Sequence, residues 1–460
     1  MRPDMRRALG LLVAWSLLLS GCDVGPPAGD AGLGEAPRPN LLLVTIDTLR
    51  ADRLECYGGP EGVGRAICAL AEPGVRYAWA FATAPFTAPS VASLLTSRYP
   101  SRHRVVQAAG SAVRPNDPSV AQVLRSSGYA TAAVVSNPVL DRRRGFRQGF
   151  DFYDAEMTRP ERNRPARERE AVATTDAALA WLADPPSSPW FLWVHYQDPH
   201  GPYDPPGAAP PRDPQGAQPL PVLENHSGQG GIPAYQVLEG VLAAETYASR
   251  YLDEIRHVDA AIGRLLDGIE ARGARPHVLL TSDHGEAFGE DGFFFAHGHS
   301  VGLDQIRVPL LWRSAEPGSD HVVSAPVSLI DLAPTLLELA GVDPPEGFEG
   351  RPLPRRDADA SEGRALFAEQ RHRLAIVRGD SYFARDRKKD AVPWHPNRTA
   401  RLTGSGPLPG YAPAPAPGAP DSLEAPLRAF ERAGRAGPAG HRVEVTPEQR
   451  RRLRELGYAD

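Results

Sequence analysis

Four apolar runs in this chain each stop at polar side chains, and that pattern restricts the fold more than any other feature. Asn40-Leu41-Leu42-Leu43-Val44-Thr45-Ile46 stops at Asp47, and Ala130 to Val135 stops at Ser136 and Asn137. Trp190-Phe191-Leu192-Trp193-Val194 runs into His195, Asp198 and His200. His277-Val278-Leu279-Leu280-Thr281 runs into Ser282-Asp283-His284-Gly285. Runs of this length and composition suit buried strands, and amphipathic helical patterns lie between them, which makes the expected fold an α/β domain. Open α/β sheets take their ligands at the carboxyl ends of the strands. Four runs releasing Asp, Asn and His there point to a site.

The intervening helices are legible in places. Tyr251, Ile255, Val258, Ile262, Leu265 and Ile269 recur at three- and four-residue steps, and Gly273 stops that helix. A shorter helix is expected from Pro118 to Ser127 with Asp117 as its N-cap. Thr446-Pro447-Glu448-Gln449 is a capping box opening a terminal helix that Gly457 closes. The Pro/Gly-rich stretches 404–420 and 201–234 read as loops, the second on the substrate side because it follows His200 directly.

The chain has 460 residues, 42% hydrophobic and 23% charged, enough for a large core and unlike a disordered or multi-span membrane chain. Its net charge of −5 and lack of a basic block exclude nucleic acid as an expected partner. Lys388 and Lys389 are its only lysines, so a site elsewhere must do without that side chain.

The first residues read as an address. Arg2, Arg6 and Arg7 precede an apolar run from Ala8 to Ser20, shorter than the roughly 20 residues a spanning helix needs. The run ends Leu19-Ser20-Gly21-Cys22, which resembles a bacterial lipobox. The expectation is a lipoprotein signal peptide over 1–21, then lipidation of Cys22 and a flexible tether over 22–38. That would place the protein in the cell envelope, anchored to a membrane on the periplasmic side. Asp23 hints at retention in the inner membrane. Cys56 and Cys68 then remain, either paired or as buried thiols.

Thr87-Ala88-Pro89-Ser90 precedes an apolar helix, and Pro89 suits its first position. Thr87 would then sit where unpaired helix N–H groups favour a phosphoryl or sulfuryl anion. A Thr hydroxyl becomes a useful nucleophile only beside a base or a metal. Asp47, Asp283 and His284 offer a ligand set for one divalent ion, and Asp198, His200 and His297 offer a second. Two carboxylate oxygens and an imidazole suit Zn²⁺ or Mn²⁺ best and Ca²⁺ less well.

The run Asn40 to Asp52, with Ser93-Leu94-Leu95-Thr96-Ser97, Ser282-Asp283-His284-Gly285-Glu286 and Ile306-Arg307-Val308-Pro309, resembles the sulfatase family of the alkaline phosphatase superfamily. Gly128-Tyr129-Ala130-Thr131, Gly145 to Asp151, Asp331-Leu332-Ala333-Pro334-Thr335 and Leu456-Gly457-Tyr458 extend the likeness. It implies a large mixed sheet between helices, with a catalytic domain over 39–353 and a smaller α+β subdomain over 354–460. By position it implies a metal site of Asp47, Thr87, Asp283 and His284. His200 and His297 would contact the transferred group or a second ion. His200-Gly201-Pro202-Tyr203 also resembles phosphoethanolamine transferases, which use a Thr nucleophile.

The chain departs from a formylglycine sulfatase at six positions. Thr87 replaces the Cys or Ser that is converted, and Val91 the following Arg. Thr48 stands where a second Asp is expected, Ser136 and Pro138 where a Lys and a His are, and His299 at a later Lys. Asn137 and His299 become candidate substrate-binding groups, and Glu286 a candidate partner orienting His284. The expected activity is hydrolysis of phosphate, phosphodiester or sulfate esters of a small molecule, glycan or lipid by Thr87 with His200 and Asn137. The alternatives are a phosphoryl transferase acting on envelope lipid or glycan, and a non-catalytic lipoprotein that binds anionic glycans.

Overall fold

The computed structural model describes residues 38–106, 110–160, 167–184, 189–316, 320–361, 363–387, 398–402, 412–413, 421–436 and 439–455. The expected signal peptide, Cys22 and its tether, most of the 404–420 loop, both lysines and Gly457 lie outside them. No helix among the described residues is long and apolar enough to cross a membrane.

Eight strands form the main sheet: β1 Leu41–Ile46, β2 Gly74–Tyr77, β3 Ala130–Val135, β4 Phe152–Asp154, β5 Trp190–Tyr196, β6 His277–Ser282, β7 Leu310–Arg313 and β8 His321–Val323. Their order is β8-β2-β7-β6-β1-β5-β3-β4. β1 pairs in parallel with β5 and β6, β3 in parallel with β4 and β5, and β7 runs antiparallel to both neighbours. The four expected strands β3, β5, β1 and β6 are therefore side by side, with their carboxyl ends along one edge.

Strand alternation separates two cores. Leu41, Leu43, Ala133, Val135, Phe191, Trp193 and Leu279 face one side. Leu42, Val44, Ile46, Ala132, Val134, Leu192, Val194, Tyr196 and Leu280 face the other. Helices α1 Thr87–Thr96, α2 Val120–Ser126 and α5 Leu332–Leu339 cover the first side. Helices α3 Ala171–Trp181 and α4 Ala244–Glu270 cover the second. This continuous burial explains the near-unbroken apolar runs, and truncating one such Leu to Ala costs about 2–5 kcal/mol.

Gly273 does end α4, at φ +74°, its N–H bonded to the Glu270 carbonyl at 2.8 Å. Two local expectations are corrected. Ser119, not Asp117, caps α2: its hydroxyl accepts from the Gln122 N–H at 3.3 Å, and Gln122 reaches back to the Ser119 N–H at 2.9 Å. Asp117 instead pairs with Arg98 and Arg114. Helix α1 begins at Thr87 with Phe86 at the N-cap, so Pro89 lies within its first turn rather than opening it.

Beyond 353, strands β9 Ala365–Gln370, β10 Arg373–Arg378, β11 Ser381–Asp386, β12 Arg398–Arg401 and β13 Ala412–Pro413 form an antiparallel sheet, followed by helix α6 Asp421–Arg435. The Glu369 N–H bonds the Thr83 carbonyl at 2.7 Å, and the Tyr382 hydroxyl bonds the Val301 carbonyl at 2.7 Å. The terminal helix α7 Pro447–Glu455 carries its capping box, with Thr446 and Gln449 bonded reciprocally at 3.0 and 3.2 Å. Cys56 and Cys68 form a disulfide across 12 residues.

Candidate active site and metal centre

Asp47 leaves β1, and Asp283 and His284 leave β6, its parallel neighbour. Each offers one ligand atom, and these atoms all lie within 4.8 Å of one another. Thr87, at the start of α1, completes the group. Its hydroxyl is 3.5 Å from Asp47 Oδ2 and 3.3 Å from His284 Nε2. Thr87 is 1% exposed and the other three are fully buried. The hydroxyl therefore faces the site instead of capping its own helix.

The histidine tautomers follow from their partners. His284 Nδ1 lies 2.9 Å from the Gly285 carbonyl, which only accepts, so Nδ1 holds the proton. The Nε2 lone pair then faces Thr87, Asp47 Oδ1 at 3.5 Å and Asp283 Oδ2 at 3.7 Å. Burial and neighbouring His297 push His284 down to about 4, which keeps it neutral and able to ligate. Burial pushes Asp283 up to about 8 despite the N–H groups of His284 and Thr48 at its Oδ1. Its Oδ2 is buried with no hydrogen-bond donor. A carboxylate oxygen left so, beside a second buried carboxylate and a bare imidazole nitrogen, fits a divalent cation.

Asn137, at the end of β3, donates its side-chain amide to Asp47 Oδ2, while its Oδ1 accepts the Val139 N–H at 2.8 Å. The residue expected to grip substrate thus grips the carboxylate. His200 and His297 come to the same end of the sheet: their ring centroids are 5.2 Å apart, and His297 lies 4.5 Å from His284.

Three expected contacts are corrected. Glu286 reaches His297 Nδ1 at 3.1 Å rather than His284, and its other oxygen accepts the Tyr203 hydroxyl at 3.1 Å. Asp198 does not join His200 and His297. Its carboxyl accepts from the Ala171 N–H of α3 and faces Glu168 and Glu170, which with burial raise it to about 7. Tyr196, at the end of β5, likewise meets Thr175 of α3 through its hydroxyl at 2.7 Å, so the Asp198 carboxyl lies on the α3 side. His299 stacks on Phe293 at 3.7 Å and lies 2.8 Å from the Gln305 amide, so its contacts are away from Thr87. Among the described residues Asp47, Asp283 and His284 are the one group of three or more placed to share an ion.

From the sequence His195 is only one of the residues that end its run, and neither it nor Thr45 receives a role. They are register partners on β5 and β1, both fully buried, and His195 Nε2 lies 3.9 Å from Asp47 Oδ2. Polar residues inside two otherwise apolar strands were the signal. Arg50 is near the site but sealed by Asp52 and Glu290, each at 2.8 Å.

Residues 39–342 match the Sulfatase family. The chain is 27% identical to the ulvan-active sulfatase of Formosa agariphila, over 69% of this chain and 65% of that protein. It is 27% identical to the steryl-sulfatase of Mus musculus, over 75% of this chain and 70% of that one. The structure overlays the phosphonate monoester hydrolase of Agrobacterium radiobacter with a TM-score of 0.63 at 20% identity, covering 89% of this chain and 99% of that one. Because the family match spans residues 39–342, about two thirds of the chain, the chain belongs to the sulfatase family of the alkaline phosphatase superfamily.

Proposed function

We propose that this chain is a metal-dependent hydrolase of phosphoric or sulfuric esters that uses Thr87 as its nucleophile. The observation that carries this reading is the Thr87 hydroxyl itself, aimed at Asp47 Oδ2 and His284 Nε2 within a buried Asp/Asp/His group. Asp47, Asp283 and His284 would hold the ion, with the Thr87 oxygen beside it. The ion would supply positive charge that lowers the hydroxyl's pKa and offsets charge building on the transferred group.

The rest follows from the side chains. Thr87 gives its proton towards Asp47 Oδ2 as its oxygen bonds to phosphorus or sulfur, and the bond to the leaving alkoxide breaks. The alkoxide leaves as the alcohol, taking up the proton that Thr87 gave to Asp47. Water then bonds to the phosphorus or sulfur, the bond to the Thr87 oxygen breaks, and the water's proton returns to that oxygen, with His200 and His297 at the same end of the sheet to relay it. Asn137 keeps Asp47 in place throughout.

The substrate class we favour is a monoanionic ester, such as a phosphodiester, a phosphonate monoester or a sulfate ester. The phosphonate monoester hydrolase of Agrobacterium radiobacter and the sulfatase relatives support that class. We place the enzyme outside the cytoplasm, tethered through Cys22. The Leu19-Ser20-Gly21-Cys22 run and the Cys56–Cys68 bond, which suits an oxidising compartment, support this.

Initial rates on nitrophenyl sulfate, phosphate and phenylphosphonate, with Mn²⁺ or Zn²⁺, test the reading beside Thr87→Ala. Monoanion turnover that disappears in Thr87→Ala, with an intact-mass adduct on Thr87 in the wild type, supports it. Turnover that survives Thr87→Ala points to direct attack by water and overturns it.

A further inference from the structure

Two histidines at the site share one protonation pattern. His284 and His200 direct Nδ1 at the Gly285 and Gly201 carbonyls, each at 2.9 Å. A carbonyl only accepts, so each carries a proton on Nδ1 and turns Nε2 outward, as ion-binding histidines do.

His195 is wired the other way. Its Nδ1 lies 2.7 Å from Thr45 Oγ1, which also receives the Trp193 indole N–H at 2.9 Å. An indole N–H only donates, so it occupies one lone pair of the Thr45 oxygen. The Thr45 proton then has His195 Nδ1 as its acceptor, and the ring's own proton sits on Nε2. Strand geometry builds this relay: Trp193 and His195 are two residues apart on β5, and Thr45 is the register partner of His195 on β1.

We infer that His195 is a positioning residue for Asp47, acting through an Nε2–H dipole that the Trp193–Thr45 relay fixes. Nε2 lies 3.9 Å from Asp47 Oδ2, the oxygen that Asn137 already holds. Donors gather on Oδ2, while Oδ1 faces His284 Nε2 at 3.5 Å. At that separation the contact is charge–dipole rather than a hydrogen bond, and full burial leaves it little screened. With its proton on Nε2, His195 would not offer that nitrogen to an ion held by Asp47, Asp283 and His284. The inference rests on the reading that Asp47 holds a divalent ion.

Thr45→Val breaks the relay while keeping a β-branched strand residue, and His195→Phe removes the ring nitrogens. Mn²⁺ affinity of the metal-stripped proteins is measured by calorimetry, and the His195 tautomer by nitrogen NMR of histidine-labelled protein. The expected results are an Nε2–H signature in the wild type and Mn²⁺ binding about 10-fold weaker in each variant. The double variant should bind no more weakly than His195→Phe alone. An Nδ1–H signature, or wild-type affinity in both variants, overturns the inference. If His195→Phe does not fold, Thr45→Val carries the test. Wild-type protein that binds neither Mn²⁺ nor Zn²⁺ would remove the metal reading and this inference together, a failure seen before any variant is made.

Discussion

The side-chain amide of Asn137 donates to Oδ2 of Asp47, the carboxylate oxygen that the Thr87 hydroxyl also faces. Two strands are tied at their carboxyl ends by that bond. Asn137→Ala should weaken Mn²⁺ or Zn²⁺ binding 10–100-fold, the usual effect of removing a group that orients a ligand. Titration calorimetry on the metal-stripped variant would show it, and unchanged affinity would mean that Asp47 is held without Asn137.

Chelation should lower both activity and stability. An ion at 100 times its Kd adds about 2.7 kcal/mol to the folded state, because the unfolded chain lacks the site. EDTA-treated protein should therefore melt lower by calorimetry, and Mn²⁺ or Zn²⁺ should restore the Tm in wild type but not in Asp283→Asn.

Gly298 is left-handed at φ +83°, and a Cβ there would lie 2.0 Å from the Phe86 ring. Phe86 immediately precedes Thr87 and packs edge-on against His297 at 6.2 Å. Gly298→Ala should push Phe86 aside and lower kcat at least about 10-fold, consistent with the sensitivity of catalysis to small misplacements. A kcat within twofold of wild type would show that Thr87 is insulated from this contact.

Asp198 is the buried carboxyl on the other side of the sheet, raised to about 7 by burial and by Glu168 and Glu170, with Glu254 raised beside it. The folded state keeps the Asp198 proton that the unfolded chain loses near pH 4. Stability from this group is thus greatest at low pH and falls as pH climbs from about 4 to 7. Asp198→Asn should raise Tm more at pH 8 than at pH 5, by about 2 °C or more. Equal shifts at both pH values would show that the carboxyl is paired.

The Cys56–Cys68 bond closes a short loop whose Ile67 N–H bonds Asp259 of α4 at 2.8 Å. Opening it by Cys56→Ser with Cys68→Ser should cost about 3 kcal/mol. Denaturant unfolding measures this, and kcat should stay unchanged because the loop does not touch Thr87 or its partners.

The four catalytic-edge strands were legible in the sequence because each is buried on both faces and so reads as an apolar run. Asp47, Asp283 and His284 were legible as the residues just past them, and Asn137 as the polar end of β3. The terminal capping box was also readable, being a local pattern that needs no tertiary partner. What those residues touch was not readable. Asn137 was expected on substrate and lies on Asp47, and Glu286 was expected on His284 and holds His297.

The sequence by itself determined which residues leave the sheet at its active edge, since burial and strand periodicity are written in local composition. Only the tertiary structure decided which side each one takes. Asp198 and His200 are two positions apart, yet Asp198 turns to α3 while His200 meets His297. Thr45 and His195 are distant in sequence and became neighbours only because β1 and β5 pair in this register. Long-range register fixes such contacts, and no local pattern of residues encodes it.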